Sequence, residues 1–482
     1  MIKFNRTKVI ATVGPAIESK NVLTKMVLAG VDVFRINFSH GTYDEILKTL
    51  QYVREINVEY NTNVGLLADL QGPKIRIGEI RDGKVKIRKG DVITITTKKM
   101  LGNTKRISIN YENFPKDIKE GDRILIDDGK LEMQVVTTNR KDTVKVRVIY
   151  DGNLSSNKGV NLPNTKISLP SLTEKDLKDL NFTLNNNFDW VALSFVRSAS
   201  DITHLKHIIR SRRKKINVIA KIEKPEATKD ISNIIRRSDA IMVARGDLGV
   251  EIPMEEVPVL QKKIVEKCRA ASKPVIIATQ VMENMIYRPN PLRAEVTDVA
   301  NAVYEGADAI MLSGETSIGK YPVKVIETIE KILERVERED SIYLNPEDSK
   351  TRHFMSNPNS KTFISDAICY NVCKISQEVN AKAIIGMTRS GYTAYQVSSY
   401  RPKAKVIIFT NNFILLNSLS LLWGAKAFYY DKFSSTDETI YDVKRILRDS
   451  GIVKKGDVVI NTASIPIHDR QRTNMIKVSV IE

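Results

Sequence analysis

Short, wholly apolar runs recur along the chain, with amphipathic stretches between them. The first three are Lys8-Val-Ile-Ala-Thr-Val-Gly14, Val31-Asp-Val-Phe-Arg-Ile-Asn-Phe38 and Val64-Gly-Leu-Leu-Ala-Asp-Leu70. Five more follow: Asp189-Trp-Val-Ala-Leu-Ser-Phe195, Val218-Ile-Ala-Lys-Ile222, Ala240-Ile-Met-Val-Ala-Arg-Gly246, Pro274-Val-Ile-Ile-Ala-Thr279 and Ala309-Ile-Met-Leu-Ser-Gly314. Runs this short and this apolar suit strands buried on both faces. The stretches between them predict helices at 19–29, 43–60, 258–271 and 293–304. Strand–helix alternation builds a parallel sheet, and eight such units predict a (β/α)8 barrel of the TIM type.

Two segments break that rhythm. From Lys74 to about Ile167 apolar and polar residues alternate, as in Val92-Ile-Thr-Ile-Thr and Val144-Lys-Val-Arg-Val-Ile, and Asp-Gly turns recur. This reads as a small antiparallel β-barrel inserted after the third strand, hanging over the C-terminal mouth of the large barrel. After Pro322 a charged helix is expected to run to about Glu339, followed by a polar linker to about Ser360. Beyond it five further apolar runs, from Ala381 to Ile481, predict a separate doubly wound α/β domain. The expected division is therefore a discontinuous barrel at 1–71 and 168–345, a lid at 72–167 and a C-terminal domain at 346–482.

The polar residues that end the barrel strands carry the chemistry, because strand C-termini converge on one mouth. The second strand ends Arg35-Ile-Asn-Phe-Ser-His40, the third at Asp69 with Arg76 following, the fifth at Lys221-Ile-Glu223. The sixth ends Ala244-Arg-Gly-Asp247, the seventh at Thr279, the eighth at Ser313-Gly-Glu-Thr316. Glu223 and Asp247 on neighbouring strands can share one hard cation, Mg²⁺ or Mn²⁺, that keeps several waters; the plainer alternative pairs them with Lys221 and Arg245. Lys221 and Glu223 are two apart and share a strand face. A lysine beside a metal-bound carboxylate suits a transferring phosphoryl group, and Arg35 and Arg76 offer forked donors for phosphate oxygens. Gly246 and Asp247 open a helix whose first N–H groups are expected to be free for an anion. His40 is either a base or a packed imidazole at a turn. No nucleophile–base pair stands out, and metal, lysine and arginines together indicate phosphoryl transfer.

The chain has 482 residues, with 42% hydrophobic and 27% charged, enough for a sizeable core and several domains. Its formal charge is +18. The basic residues are spread out, and the densest run, Arg210-Ser-Arg-Arg-Lys-Lys215, reads as a solvated helix end, so a nucleic-acid partner is not expected. No apolar run approaches the ~20 residues that span a bilayer, no signal peptide is visible, and neither a membrane nor an export route is expected. Cys268, Cys369 and Cys373 match no zinc or disulfide framework and suit a reducing, cytoplasmic location.

Several segments resemble the pyruvate kinase family, in that family's order: Arg35-Ile-Asn-Phe-Ser-His-Gly41, Ala220-Lys-Ile-Glu223, Met242-Val-Ala-Arg-Gly-Asp-Leu-Gly-Val-Glu-Ile-Pro253, Ala278-Thr-Gln280, Arg293-Ala-Glu-Val-Thr-Asp-Val-Ala-Asn-Ala302 and Met311-Leu-Ser-Gly-Glu-Thr316. The resemblance implies phosphoryl transfer from phosphoenolpyruvate to ADP, giving pyruvate and ATP in the last step of glycolysis. It implies Mg²⁺ on Glu223 and Asp247, with Lys221 bridging the phosphoryl group. Arg35 and Arg76 contact the phosphates, and Gly246, Asp247 and Thr279 the enolpyruvate carboxylate and its surroundings. Thr279 lies on the protonation face, with Ser313 and Glu315 in a proton-delivering water chain. ADP meets Asn37, Phe38, Ser39, His40, Arg76 and, from the lid, Lys158. A cytoplasmic homotetramer is implied as well.

Two departures stand out. Many members bind K⁺ at residues matching Asn37, Ser39, Asp69 and Leu70, usually with Thr after the Asp and Glu after the Gly-Pro. Here the segment is Asp69-Leu-Gln-Gly-Pro-Lys74. The expectation is that the Lys74 ammonium replaces K⁺, as in the family's K⁺-independent branch; otherwise Lys74 merely faces solvent. In the C-terminal domain, the consecutive residues Thr388, Arg389, Ser390, Gly391, Tyr392 and Thr393 resemble the family's effector loop. They form either a phosphate cradle or a plain structural turn. The end loop Thr462-Ala-Ser-Ile-Pro-Ile467 lacks the Trp-Arg-Pro-Gly type segment of members activated by fructose 1,6-bisphosphate. That leaves a sugar monophosphate, a nucleoside monophosphate or no effector. A lyase or aldolase on the same barrel would not need Lys158 and Arg76 at a phosphate-clamping lid, and a non-enzymatic sensor would not need Lys221, Glu223, Asp247 and Thr279 intact.

Overall fold

In the computed structural model residues 4–163, 165–343, 359–432, 435–465 and 472–482 are described. Eight parallel strands close the central barrel: β1 (Lys8–Thr12), β2 (Val33–Asn37), β3 (Gly65–Asp69), β4 (Trp190–Leu193), β5 (Asn217–Ile222), β6 (Ala240–Ala244), β7 (Val275–Ala278) and β8 (Ala309–Leu312), with β8 pairing back onto β1. Each lies within a run expected from the sequence, save that β5 starts one residue early. The expected helices appear as Lys20–Ala29, Tyr43–Tyr60, Glu256–Ala270 and Arg293–Glu305. The third begins before Pro258, which sits in the first turn, where its missing N–H breaks no helical bond. The helix that begins at Pro322 ends at Val336.

Alternation along each strand decides what lies inside. The barrel interior is filled by an apolar cluster that includes Ile10, Val33, Leu67, Ala192, Ile219 and Met242. Two residues farther along four of those strands, on the same face, come Arg35, Asp69, Ser194 and Lys221. The interior thus changes from apolar to ionic in one step of two residues, and the polar layer sits on a dry floor.

The opposite end of the barrel is fastened by aspartates. Asp32, Asp189, Asp239 and Asp308 each precede an even-numbered strand, and each accepts a backbone N–H from the strand before it. The donors are Val9 at 2.9 Å, Leu66 at 2.8 Å, Val218 at 2.9 Å and Val275 at 2.9 Å. These bonds satisfy amides near the starts of β1, β3, β5 and β7, which would otherwise be stranded at a buried barrel end.

The inserted segment forms a second core of its own, built largely from isoleucine and valine. Its strands form a two-stranded ribbon, Lys84–Ile87 with Gly152–Ser155, and a separate six-stranded sheet. They do not close as one ring, and one pair, Val92–Thr96 with Arg106–Ser108, is parallel where an antiparallel insert is expected. The C-terminal domain is a five-stranded sheet ordered Ala425–Tyr429, Lys405–Thr410, Ala383–Met387, Val458–Ala463, Met475–Val480. The last strand is antiparallel. The polar stretch at 344–358, where the linker and the boundary at 345 are expected, lies outside the described residues, as do Pro466 and Ile467 of the end loop.

The C-terminal domain docks under the fastened end. Leu421 joins the barrel's interior cluster. Gly65 is required there, since a Cβ at that position would lie 2.5 Å from Ser420 Oγ and 3.2 Å from the Asn417 carbonyl. Arg401, 2% exposed, donates to Asp308 at 3.0 Å and to the Gly306 carbonyl at 2.7 Å, and stacks over Trp423.

Asp189 is buried at this junction. Burial pushes its carboxyl up to about 7, against the pull of the Leu66 amide and of Asn417. A carboxyl whose folded-state pKa is raised destabilises the fold as pH rises from its unfolded value through the folded one. Asp189→Asn keeps an acceptor for Leu66 and removes that ionisation. Its melting temperature relative to the parent should climb between pH 4 and pH 7 and level off above; a difference independent of pH would contradict the assignment.

Candidate functional site

Lys221 projects from β5 into the polar layer with three partners. Its ammonium lies 2.9 Å from Glu223 Oε1, 3.2 Å from Asp69 Oδ1 and 2.8 Å from Ser194 Oγ. Arg35 flanks it, with Nε donating to Asp69 Oδ2 at 2.7 Å and Nη1 to Thr12 Oγ1 at 2.9 Å. All four charged groups are buried. Two cations and two carboxylates balance, which is the condition under which charge survives burial. Burial works against the Lys221 ammonium, but Asp69 and Glu223 outweigh it and hold its pKa above the usual lysine range. Burial likewise opposes ionisation of Asp69, yet Lys221 and Arg35 keep its carboxyl below the ordinary value.

Asp247 is the surplus charge. Burial raises its carboxyl, the Glu223 carboxylate raises it further, and the group is pushed up to about 6. Two neighbouring carboxylates that resist joint ionisation are the donor set a hard divalent cation relieves. Glu223 already uses Oε1 on Lys221 and accepts the Phe195 amide on Oε2 at 2.7 Å, and each oxygen keeps a further lone pair. Among the described residues no group of three or more His, Cys, Asp or Glu side chains forms a ligand set, so a cation here would take only two protein side chains and fill its shell with water or substrate.

Thr279 and Gln280 follow β7 with φ of 66° and 52°. Left-handed backbone at a β-branched residue costs about 1–3 kcal/mol and is found where surrounding structure enforces it. The Thr279 hydroxyl accepts the Gly246 amide at 2.7 Å and donates to the Ala278 carbonyl at 2.6 Å. The Gly246 N–H, expected to be free for an anion, is therefore engaged by Thr279. The helix it opens, Arg245–Glu251, is short, and its first turn is stitched to the neighbouring strand end.

Ser313 and Glu315 lie at the end of β8. Glu315 is buried, accepts the Ser313 amide at 2.7 Å and the Met282 amide at 3.0 Å, and straps the loop after β7 to the end of β8. Burial raises its carboxyl, although those amides pull the other way.

Asn37 and Asp69 pair across β2 and β3, and the Ser39 amide donates to Asn37 Oδ1 at 3.1 Å. The Leu70 carbonyl accepts the Ser194 hydroxyl at 2.7 Å. Phe38 is buried among Tyr43, Phe182 and Phe188. His40 is exposed on the turn, not packed. Lys74 is exposed, at the rim of the cleft between lid and barrel that Asp247, Asp128, Lys224 and Arg197 also line, and its charge acts on Asp247. Among the described residues its ammonium makes no ion pair. Arg76 and Lys158 meet at the lid hinge, where Arg76 donates to the Asn157 carbonyl at 2.8 Å, Ile77 N–H donates to the Lys158 carbonyl at 3.0 Å, and Lys158 pairs with Asp127 at 2.9 Å.

The loop from Thr388 to Thr393 borders a separate cavity in the C-terminal domain, lined also by Asn412 and Arg472. Its six residues do not act alike. Arg389 and Ser390 are exposed at the cavity, and the Arg389 guanidinium makes no ion pair among the described residues. Only the Arg389 carbonyl is engaged, accepting from Asn412 Nδ2 at 3.2 Å. Gly391 N–H donates to Thr388 Oγ1 at 3.1 Å and Tyr392 N–H to Ser390 Oγ at 3.3 Å. Two of the loop's backbone donors are therefore spent on its own side chains, while the Arg389 and Ser390 amides make no hydrogen bond among the described residues. The Tyr392 hydroxyl bonds Asp366, and the Thr393 hydroxyl lies 2.6 Å from that of Thr473. Arg389 is left as the loop's one side-chain cation turned to the cavity.

Three participants were not singled out from the sequence. Ser194 ends β4 as Lys221 does β5, and its signal was available in Leu193-Ser194-Phe195. Lys224 and Glu251 form a buried pair at 2.5 Å, and Asn161 of the lid donates to the same Glu251 oxygen at 2.8 Å. That contact joins residues 27 and 90 positions apart and leaves no local pattern.

Comparison with known proteins agrees with this geometry. Residues 4–326 match the family model "Pyruvate kinase, barrel domain" and residues 366–479 match "Pyruvate kinase, alpha/beta domain". Pyruvate kinase 2 of Synechocystis sp. is 43% identical over 99% of this chain and 79% of its own length. Pyruvate kinase of Corynebacterium glutamicum is 41% identical over 99% of this chain and 98% of its own. A crystal structure of a Cryptosporidium parvum pyruvate kinase superposes with a TM-score of 0.92 at 33% identity, covering 99% of this chain and 96% of that one.

Proposed function

The chain belongs to the pyruvate kinase family and is an enzyme that moves the phosphoryl group of phosphoenolpyruvate to ADP, and we propose that it does so with the Lys221 cluster at the barrel mouth. The observation that carries this reading is the buried, charge-balanced set of Arg35, Asp69, Lys221 and Glu223 with Asp247 beside it.

The family needs a divalent metal, and Mg²⁺ on Glu223 and Asp247 fits the surplus negative charge found there. When bound, the cation would neutralise charge on the transferring phosphoryl group. The chain's own groups do the rest. Lys221 and Arg35 hold phosphoryl oxygens as the bond from phosphorus to the enol oxygen breaks and a β-phosphate oxygen of ADP takes its place. Gly246, Asp247 and Thr279 border the carboxylate end, with the Gly246 amide spent on the Thr279 hydroxyl. The electron pair left on the enolate returns through C3, which takes a proton on the face where Thr279 lies, with Ser313 and Glu315 ordering the water that delivers it. Asn37, Ser39, His40, Arg76 and Lys158 form the ADP side, with Phe38 buried behind them rather than facing it, and the lid excludes the water that would otherwise intercept the phosphoryl group.

Coupled ATP formation should require a divalent metal, with Mg²⁺ effective. Lys221→Met should lower turnover by roughly 10²–10³-fold, the loss expected when a preorganised donor to the transition state is removed. Metal-dependent turnover that survives Lys221→Met would leave the family intact and overturn this assignment.

Lys74 is proposed as the fixed monovalent cation that replaces K⁺ beside Asn37, Ser39, Asp69 and Leu70. Its support is a cation at the rim of the cleft, close enough to act on Asp247, with no ion pair of its own among the described residues. Replacing KCl with tetramethylammonium chloride should leave turnover essentially unchanged, and a large loss would refute the substitution.

The Thr388–Thr393 cavity is proposed to take a phosphate monoester, with Arg389 as the cation that meets it. A sugar monophosphate or nucleoside monophosphate should raise the rate at subsaturating phosphoenolpyruvate, whereas strong activation by fructose 1,6-bisphosphate would contradict the reading. A cytoplasmic homotetramer is the assembly this membership implies, and sedimentation equilibrium reads it directly. Among the described residues no helix is long and apolar enough to cross a membrane.

A further inference from the structure

Thr279 and Gln280 are consecutive non-glycine residues in the left-handed region, and the residue types around them do not explain how that turn is held. Arg245 does. One guanidinium nitrogen, Nη2, donates to both of their carbonyls, at 2.9 Å to Thr279 and 3.0 Å to Gln280. The other, Nη1, is anchored 2.7 Å from Asp298 Oδ1 on the helix Arg293–Glu305. The Arg245 side chain is 10% exposed, while its Asp298 anchor and the Gln280 carbonyl lie nearer to water. Its neighbour Gly246 grips the other end of the same residue through Thr279 Oγ1. A Cβ at Gly246 would sit 3.2 Å from that oxygen, so the grip is close as well as bonded.

We infer that Arg245, anchored by Asp298, is the positioning residue that sets the Thr279 hydroxyl against the reacting enolate, and so governs protonation of C3 more than transfer of the phosphoryl group. The claim rests on Thr279 occupying the protonation face. Arg245 itself turns to the carbonyls behind the loop and touches no phosphoryl-holding group; Lys221, Arg35 and Glu223 stand on other strands. A lysine can match the charge on Asp298 but cannot span two carbonyls and a carboxylate with a planar fork.

Two steps must be read separately. Exchange of pyruvate's methyl hydrogens for solvent deuterium, followed by NMR with Mg²⁺ and ATP present, reports the proton step in reverse. Single-turnover ATP formation by rapid quench reports phosphoryl transfer. Arg245→Met should slow exchange by about 10²-fold, the scale of an ångström-sized misplacement, with a much smaller loss in ATP formation and an unchanged Mg²⁺ requirement. Arg245→Lys should fall between parent and Arg245→Met. If Arg245→Met does not fold, Asp298→Asn, which keeps the arginine and loosens its anchor, should show the same selectivity in weaker form. Thr279→Val separates the two levels of the argument. If it leaves exchange intact, the placement of Thr279 on the protonation face fails. If it abolishes exchange while Arg245→Met slows both steps equally, or slows neither, the positioning role alone is overturned.

Discussion

Buried charge at the end of an apolar tube is the constraint from which the rest follows. The barrel interior offers no water to Arg35, Asp69, Lys221 and Glu223, so each must be paired or be expelled. Their mutual contacts satisfy that demand and, in doing so, fix the Lys221 ammonium within 3.2 Å of two carboxylates from different strands. A cluster that must be neutral also makes any extra carboxylate costly. Asp247 is that extra group, and its raised carboxyl is what the proposed cation would relieve. The proposed metal site and the proposed phosphoryl-holding role of Lys221 would therefore share one electrostatic origin.

The loops above the cluster are tied as tightly, and one of the ties comes from the cluster itself through Glu223. Thr279, Gln280 and Phe195 all take left-handed backbone without glycine at strand ends facing the mouth. Each is bound by a neighbour: Phe195 through Glu223, Thr279 through Gly246 and Arg245, Gln280 through Arg245. Strain is tolerated where several independent bonds over-determine the backbone, and here the enforcing groups belong to the adjacent strand.

Much of this was legible in the sequence. The eight apolar runs contain the eight strands almost to the residue, because burial on both faces leaves few residue types available. The polar residues at their ends were visible as departures from that pattern: Arg35, Asp69, Lys221, Glu223, Asp247 and Thr279 are brought to one mouth as the barrel rule requires. What could not be seen depends on pairings between distant elements. Nothing in Arg245-Gly246 announces that one side chain will hold the carbonyls of residues more than thirty positions away, and nothing in Thr279-Gln280 signals positive φ. The engaged Gly246 amide was missed for the same reason. In the C-terminal loop the residue types pointed to a cavity, but not to which of them would be spent on one another and which, like Arg389, would be left facing it. Within the lid, alternation revealed strands but not partners, so the parallel pair of Val92–Thr96 with Arg106–Ser108 lay beyond a period-two pattern.

At the other end of the barrel the C-terminal domain supplies Leu421 to the interior and Arg401 to Asp308. Removing that domain would open the tube to water at its base and take from Asp308 its arginine, leaving it the Val275 amide. The region carrying the Thr388–Thr393 cavity is thus also the plug of the barrel, so a change at that cavity acts on an element that the barrel's base packs against.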